Sequence, residues 1–163
     1  MRLPSRLQAT LELVPPGVRT VADIGSGHGA LAAALAERGL RVIATEKTSR
    51  SFAALQRDVE RAAMRAGLAI ETRRGDGLAA LRPGEVDTVV IAGLGGRSML
   101  QILESAPWLP GRLVLQPMQD PHMVSAWLET RGWSREEARI AQGGRWYLGW
   151  LVEVPTADRG RAA

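Results

Sequence analysis

The sequence predicts an α/β protein: a seven-stranded, mostly parallel sheet closed by an antiparallel C-terminal hairpin. Three observations carry that expectation. Short apolar runs alternate with helical patterns five times along the 163-residue chain, as βα units of a parallel sheet do. The first unit turns through Gly25-Ser26-Gly27-His28-Gly29, a glycine-rich link between strand and helix. The last two strand-like runs flank Gly143-Gly144, the pattern of a hairpin.

Each element follows in order. Residues 5–14 place Leu7, Leu11 and Val14 at helical spacing, and Pro15-Pro16-Gly17 stops them. Val18 to Ile24 reads as the first strand, and residues 30–39 as a helix ended by Gly39. Residues 41–45 form a second strand closing on Glu46. The segment 49–66 repeats Phe52, Leu55, Val59, Ala62 and Ala66 on one side, with Arg57, Arg61 and Arg65 opposite. That is an amphipathic surface helix, its arginines a solvated face. A short strand at 69–73 leads into Gly75-Asp76-Gly77 and a helical turn that Pro83-Gly84 breaks. Strand 86–93 follows, then Leu94-Gly95-Gly96, a helix at 97–105, a strand at 112–117 and a helix over 121–131. Strands 135–142 and 146–154 make the hairpin, in which Trp146, Tyr147 and Trp150 are expected to pack rather than to stack on bases. One domain is expected over residues 1–154, with a polar, frayed tail over 155–163.

Composition bounds the function classes. Hydrophobic residues make up 45% of the chain, enough for one core. The N-terminal segment has no uninterrupted apolar run, and no stretch approaches the ~20 residues of a membrane span. A cytoplasmic protein without membrane contact is expected. Cysteine is absent and only His28 and His122 are present, which excludes disulfides, thiolate chemistry and the usual zinc sites; no metal is expected. The formal charge is +4, almost all from arginine, with Lys47 the only lysine. Such a balance suits a polyanionic partner, and it equally suits a protein of arginine-rich composition. No pattern in the sequence sets an oligomeric state.

In open α/β sheets, ligands bind beyond the carboxyl ends of the strands. Glycines at Gly25 and Gly27 let the backbone pass close beneath a ligand. Asp23, two residues before the first glycine, brings negative charge to the turn. That charge suits an amino-acid moiety and a sulfonium better than a pyrophosphate. Gly25, Gly27 and Ala30 also satisfy the dinucleotide pattern G-x-G-x-x-G/A. Against that reading stand Asp23 at a usually apolar position, the lack of a second domain, and the closing hairpin. The expected cofactor is therefore S-adenosyl-L-methionine. Glu46, 21 residues after Gly25, is placed for the ribose hydroxyls, and Asp76 for the adenine amine. Ser26, Lys47 and Gly77 flank these residues and complete the expected cofactor set, with Ala92 and Gly93 after the fourth strand.

The target side is expected around Gly93, whose backbone borders the reacting atoms, and around Gln116, which can stabilise developing charge. His28, in the glycine loop, is a candidate contact to the target; alternatively it pins the turn. Arg97, at a helix start, is a candidate phosphate contact, with Arg6 and Arg145 as further ones and Met118 as a pocket wall.

These residues resemble a known family. Arg6-Leu7, Val14-Pro15, Gly17, Val21 to Ser26, His28, Gly75 to Leu78, Ile91 to Gly96, Leu115 to Pro117 and Trp127-Leu128 are similar to the motifs of bacterial tRNA (adenine(22)-N(1))-methyltransferases of the TrmK type. The likeness covers nearly all of residues 5–153, and I-A-G-x-G-G is its most specific piece. It implies a Rossmann-like, class I methyltransferase fold and methylation of N1 of adenine 22 in tRNA. The chain departs from the family at Gly27, where members usually carry an acid, and at Met118, where asparagine is common. Members usually also continue into a helical C-terminal region. Two further function classes stay open at this point: a catalytically idle donor-binding or tRNA-binding module, and a methyltransferase acting on another RNA or a small molecule.

Overall fold

The computed structural model describes residues 2–160. The elements are α1 (Ser5–Leu13), β1 (Thr20–Ile24), α2 (Ala30–Glu37), β2 (Arg41–Glu46), α3 (Ser49–Ala66), β3 (Ile70–Arg74), a single 3-10 turn (Gly77–Ala80), β4 (Thr88–Ala92), α4 (Gly96–Ser105), β5 (Arg112–Gln116), α5 (Pro121–Arg131), β6 (Arg135–Gln142), β7 (Arg145–Glu153) and α6 (Thr156–Arg159). The sheet has seven strands in the order β3-β2-β1-β4-β5-β7-β6. The first five are parallel, and β7 runs antiparallel between β5 and β6. Dinucleotide-binding sheets run 3-2-1-4-5-6. The inserted β7 departs from that order and agrees with the hairpin read from the sequence.

Strand periodicity sorts the core into two layers. Ala22, Ile24, Ile43, Val89, Ile91, Leu113 and Leu115 pack with Met99 and Leu103 of α4 and Val124 and Leu128 of α5. The alternate residues Val21, Val42, Ala44, Val90, Ala92 and Val114 pack with Leu11, Leu31, Leu35, Leu55 and Val59 of α1, α2 and α3. Both faces are covered, so the central strands are apolar throughout, as parallel sheets require. The strand order reverses between the parallel β1 and β4, and the switch point opens beyond their carboxyl ends.

The tail departs from expectation. Thr156–Arg159 is a helical turn that locks onto the fold. The Leu109 amide donates to the Arg159 carbonyl at 2.6 Å, Arg159 Nε donates to the Val154 carbonyl at 2.9 Å, and Trp133 Nε1 donates to Asp158 at 2.9 Å. Leu109 and Trp133 lie far back in the chain, so local composition gives no sign of them. Residues 161–163 of the expected tail lie outside the described residues.

The hairpin shapes the ligand end of the molecule. Its last pairing with β5 is Leu115 with Trp150, while β6 and β7 continue together to Gln142 opposite Arg145. The same register sets Gln116, the last residue of β5, opposite Gly149, so residues 145–148 project past the end of β5, about 13 Å at ~3.3 Å per residue, and face the loop that follows β5.

Candidate functional site

Three successive βα turns converge on one cavity of about 300 Å³, lined by Ile24 and Gly25 at the end of β1, Thr45, Glu46 and Lys47 at the end of β2, and Gly75, Asp76 and Gly77 after β3. Leu94 and the α4 residues Ser98, Gln101, Ile102 and Ser105 close the far side. Ligand pockets begin at about this size. Gly25 adopts φ +70, and a Cβ there would lie 3.5 Å from Leu94; glycine keeps this floor thin. Glu46 reaches back across the turn, its Oε1 accepting from the Gly27 amide at 2.6 Å. Lys47 and Asp76 stand 3.5 Å apart at the rim, both largely exposed.

The chemistry of this lining fits S-adenosyl-L-methionine. Carboxylates from two turns offer acceptors for hydroxyl and amine groups, and Leu94 and Ile102 offer apolar faces for a base. Thr45 Oγ1 is buried with no hydrogen-bond partner in the wall, which is the kind of group a bound molecule satisfies. Among the described residues, no cluster of three or more His, Asp or Glu side chains could hold a metal ion.

The expected cofactor residues divide. Gly25, Glu46, Lys47, Asp76 and Gly77 line the cavity. Ser26, Gly27, Ala92 and Gly93 border it in neighbouring turns without lining it. Asp23 is 2% exposed and turned into the protein, where Ser26 Oγ donates to its Oδ2 at 2.6 Å. Burial pushes its carboxyl up to about 7, against the Ser26 hydrogen bond and with help from the nearby Glu46 charge.

The target side is built from the loops after β4 and β5, which are laced together: the Gly93 amide donates to Gln116 O at 3.1 Å, the Met118 amide to Leu94 O at 2.8 Å, and the Gly96 amide to Gln119 O at 2.8 Å. A Cβ on Gly96 would collide with the backbone carbonyl of Asp120, so this glycine serves a backbone crossing rather than a ligand. Gly93, by contrast, is exposed at φ +83, and the nearest atom to a Cβ there is Arg6 Nη1 at 3.8 Å.

Arg6 joins three distant parts of the chain. Its Nη1 donates to Gln116 Oε1 at 2.6 Å, and its amide donates to Gln142 Oε1 of the hairpin at 2.7 Å. Its Nε is buried without a partner, and desolvation pulls its pKa down.

This arrangement corrects the catalytic expectation for Gln116. The side chain is fully buried, with Oε1 taken by Arg6 and Nε2 donating to Pro117 O at 2.7 Å. Both ends of the amide are satisfied inside the protein, which leaves it a positioning residue for Arg6. His28 likewise lies away from the cavity. Its ring is 84% exposed and its Nδ1 meets Asp58 of α3 at 2.7 Å, the pinning alternative. Arg97 is exposed in the first turn of α4. Met118 and Arg145, about thirty residues apart, share a second cavity of about 290 Å³ with Asp120, Trp146 and Tyr147.

Several residues escaped the sequence reading. Thr45 follows Ile43 on the α4 face of β2, a placement that strand period alone implies. Ser98, Gln101, Ile102 and Ser105 recur at helical spacing along α4, so their shared face was readable. Gln142 and Asp58 had no local signal.

Comparisons with known proteins agree with this geometry. Residues 3–148 match the methyltransferase-domain family. The tRNA (adenine(22)-N(1))-methyltransferase of Bacillus subtilis is 34% identical over 97% of this chain, which spans 68% of that protein. The crystal structure of the B. subtilis m1A22 tRNA methyltransferase superposes with a TM-score of 0.81 at 32% identity, covering 94% of this chain and 67% of that one. A Streptococcus pneumoniae protein in complex with S-adenosyl-L-methionine, described as a candidate tRNA (m1A22) methyltransferase, gives 0.79 at 28% identity, over 99% and 75% of the two chains. With that sheet order, that cavity and these relatives, the chain belongs to the tRNA (adenine(22)-N(1))-methyltransferase family.

Proposed function

We propose that this protein transfers the methyl group of S-adenosyl-L-methionine to N1 of an adenine in tRNA, at the position of adenine 22, in the cytoplasm. The observation that carries the reading is the convergence of Gly25, Thr45, Glu46 and Asp76 on one cavity beside the exposed backbone of Gly93. Its support from relatives is the substrate named for the B. subtilis enzyme.

The donor, when bound, supplies an electrophilic methyl on a sulfonium. The chain's residues then have two tasks. The first is alignment, worth up to ~7–11 kcal/mol of barrier in well-oriented systems. Glu46 and Asp76 fix the nucleoside end, and the turn at Gly25 holds the rest against the switch point. The second is charge. Adenine N1 carries a free lone pair, so no base need remove a proton, and the product is a cation. Arg6 beside Gly93 would oppose that cation, since two like charges ~4 Å apart repel by several kcal/mol near a protein surface. Arg6 therefore serves the target's phosphate rather than the reacting atoms. The exposed Gly93 backbone remains the polar surface nearest the forming charge. Met118 and Arg145 flank the way in.

The test is direct. Incubation with methyl-labelled donor and unmodified tRNA, followed by nucleoside mass mapping, is expected to give N1-methyladenosine at position 22. Donor binding without transfer would instead identify an idle binding module.

A further inference from the structure

Among the described residues, only two large hydrophobic side chains stand exposed: Met64 at 88% on α3 and Trp146 at 68% at the hairpin tip. Trp146 does not pack into the hairpin, in contrast to the sequence expectation. Trp150, four residues on and on the same face, is 1% exposed and anchored by Nε1 to Glu137 at 3.0 Å. Trp146 lies in the stretch of β7 that has outrun β5, so no strand or helix packs over it as they do over Trp150. The Arg139 guanidinium of β6 sits 5.4 Å from its ring centroid, a cation–π contact. Arg145 lies next to it in the chain, 6.0 Å over Tyr147. Trp146 also lines the cavity shared by Met118, Asp120 and Pro121, on the loop that follows Gln116.

We propose that Trp146 is a stacking platform for an unpaired tRNA base next to the target adenine, with Arg139 and Arg145 holding the adjoining phosphates. This rests on the tRNA reading above and deepens it. Two features select RNA over a protein partner. Indole against the Arg139 cation, with Arg145 lining the same cavity, is the composition that binds single-stranded nucleic acid, aromatic faces taking bases and cations taking phosphates. The platform also stands past the carboxyl ends of the strands, against the β5 loop that is laced to Gly93 and Leu94, where a target nucleotide leaving its stack would separate from its neighbours. Base flipping strands such a neighbour, and a stacking partner offsets part of the lost stacking.

The experiment uses the full chain, labelled donor and an unmodified tRNA transcript, with steady-state KM for tRNA, kcat and calorimetric donor binding measured for wild type, Trp146→Ala, Trp146→Phe and Arg139→Gln. Trp146→Ala is expected to raise the KM for tRNA about tenfold, the usual worth of one base–aromatic stack, and to change donor affinity less than twofold. Trp146→Phe is expected to recover most of the loss, and Arg139→Gln to lower the salt dependence of tRNA binding by about one phosphate contact. Equal KM values for wild type and Trp146→Ala overturn the platform, and so does a change in oligomeric state in that variant with KM unmoved, which assigns the ring to a protein contact. If wild type methylates no tRNA at all, the substrate reading itself fails, and that result is distinct from either.

Discussion

The two halves of the ligand end are made by different means. Around the donor cavity, residues 24–25, 45–47 and 75–77 arrive from three consecutive turns, each set by its own few neighbours. Around the target, Arg6, Gln116 and Gln142 meet across sequence separations of 110 and 136 residues. The first half is a repeated local device. The second is a single long-range assembly that exists only once α1, β5 and the hairpin have docked. A donor site built this way can persist while the target side changes, and the departures at Gly27 and Met118 fall in loops rather than in the strands.

The sharpest way to break the contrast is Gly96→Ala. The new methyl meets the backbone of the β5 loop, a collision that only a shift of both loops relieves. Such overpacking costs ~1–3 kcal/mol, or several degrees in melting temperature for a chain of this size. Methyl transfer is expected to fall by more than a hundredfold, measured alongside thermal unfolding.

A second comparison separates the halves directly. Glu46→Ala removes a charged acceptor from the donor cavity, and hydrogen bonds to charged groups are worth ~1.5–3 kcal/mol. Calorimetry is expected to show donor affinity down by at least tenfold. Arg6→Ala should leave that affinity within twofold while slowing transfer to tRNA. Equal losses of donor affinity in both variants would show that the halves are coupled.

Asp23 offers a gentler probe. Its buried carboxyl titrates near 7 in the fold, against 3.8 ordinarily. Between those values the unfolded chain ionises and the folded one does not. Folding stability from this group therefore declines as pH rises from about 4 to 7, and Asp23→Asn should remove the decline. Donor binding should move oppositely, tightening as pH climbs through about 7, because the ionised carboxylate attracts the donor's ammonium. A flat affinity profile in wild type would remove Asp23 from the cofactor set.

The smallest effect is expected at the outer edge of the donor half. Arg73 grips Glu85 with both nitrogens, at 2.7 and 2.6 Å, and holds the Glu85 carboxyl down to about 2. With the folded value depressed, the clip's stability is fully present above about 4.5 and is lost as pH falls toward 2. Acid unfolding of Glu85→Gln should begin from a lower plateau and show a shallower slope than wild type.

How much could be read in advance follows the same division. The Asp23–Gly29 turn, Glu46 and Asp76 were legible because strand, turn and helix announce themselves within ten residues, and the hairpin because Gly143-Gly144 marks it. Gln116 was misjudged because its polarity was visible and its partner, 110 residues away, was not. Trp146 and Trp150 look alike in sequence. Only the length by which β7 outruns β5 places one in water and the other in the core.

The locked turn at Thr156–Arg159 has a practical corollary. It ends against Leu109, Gly111 and Arg112, at the amino ends of the strands, whereas α1 brings Arg6 to the opposite end beside Gly93. A label, surface tether or fused domain attached after Gly160 departs from the back of the molecule and must travel a strand length, about 16 Å, before it can shade the groove. The same attachment placed ahead of Ser5 would crowd the doorway itself.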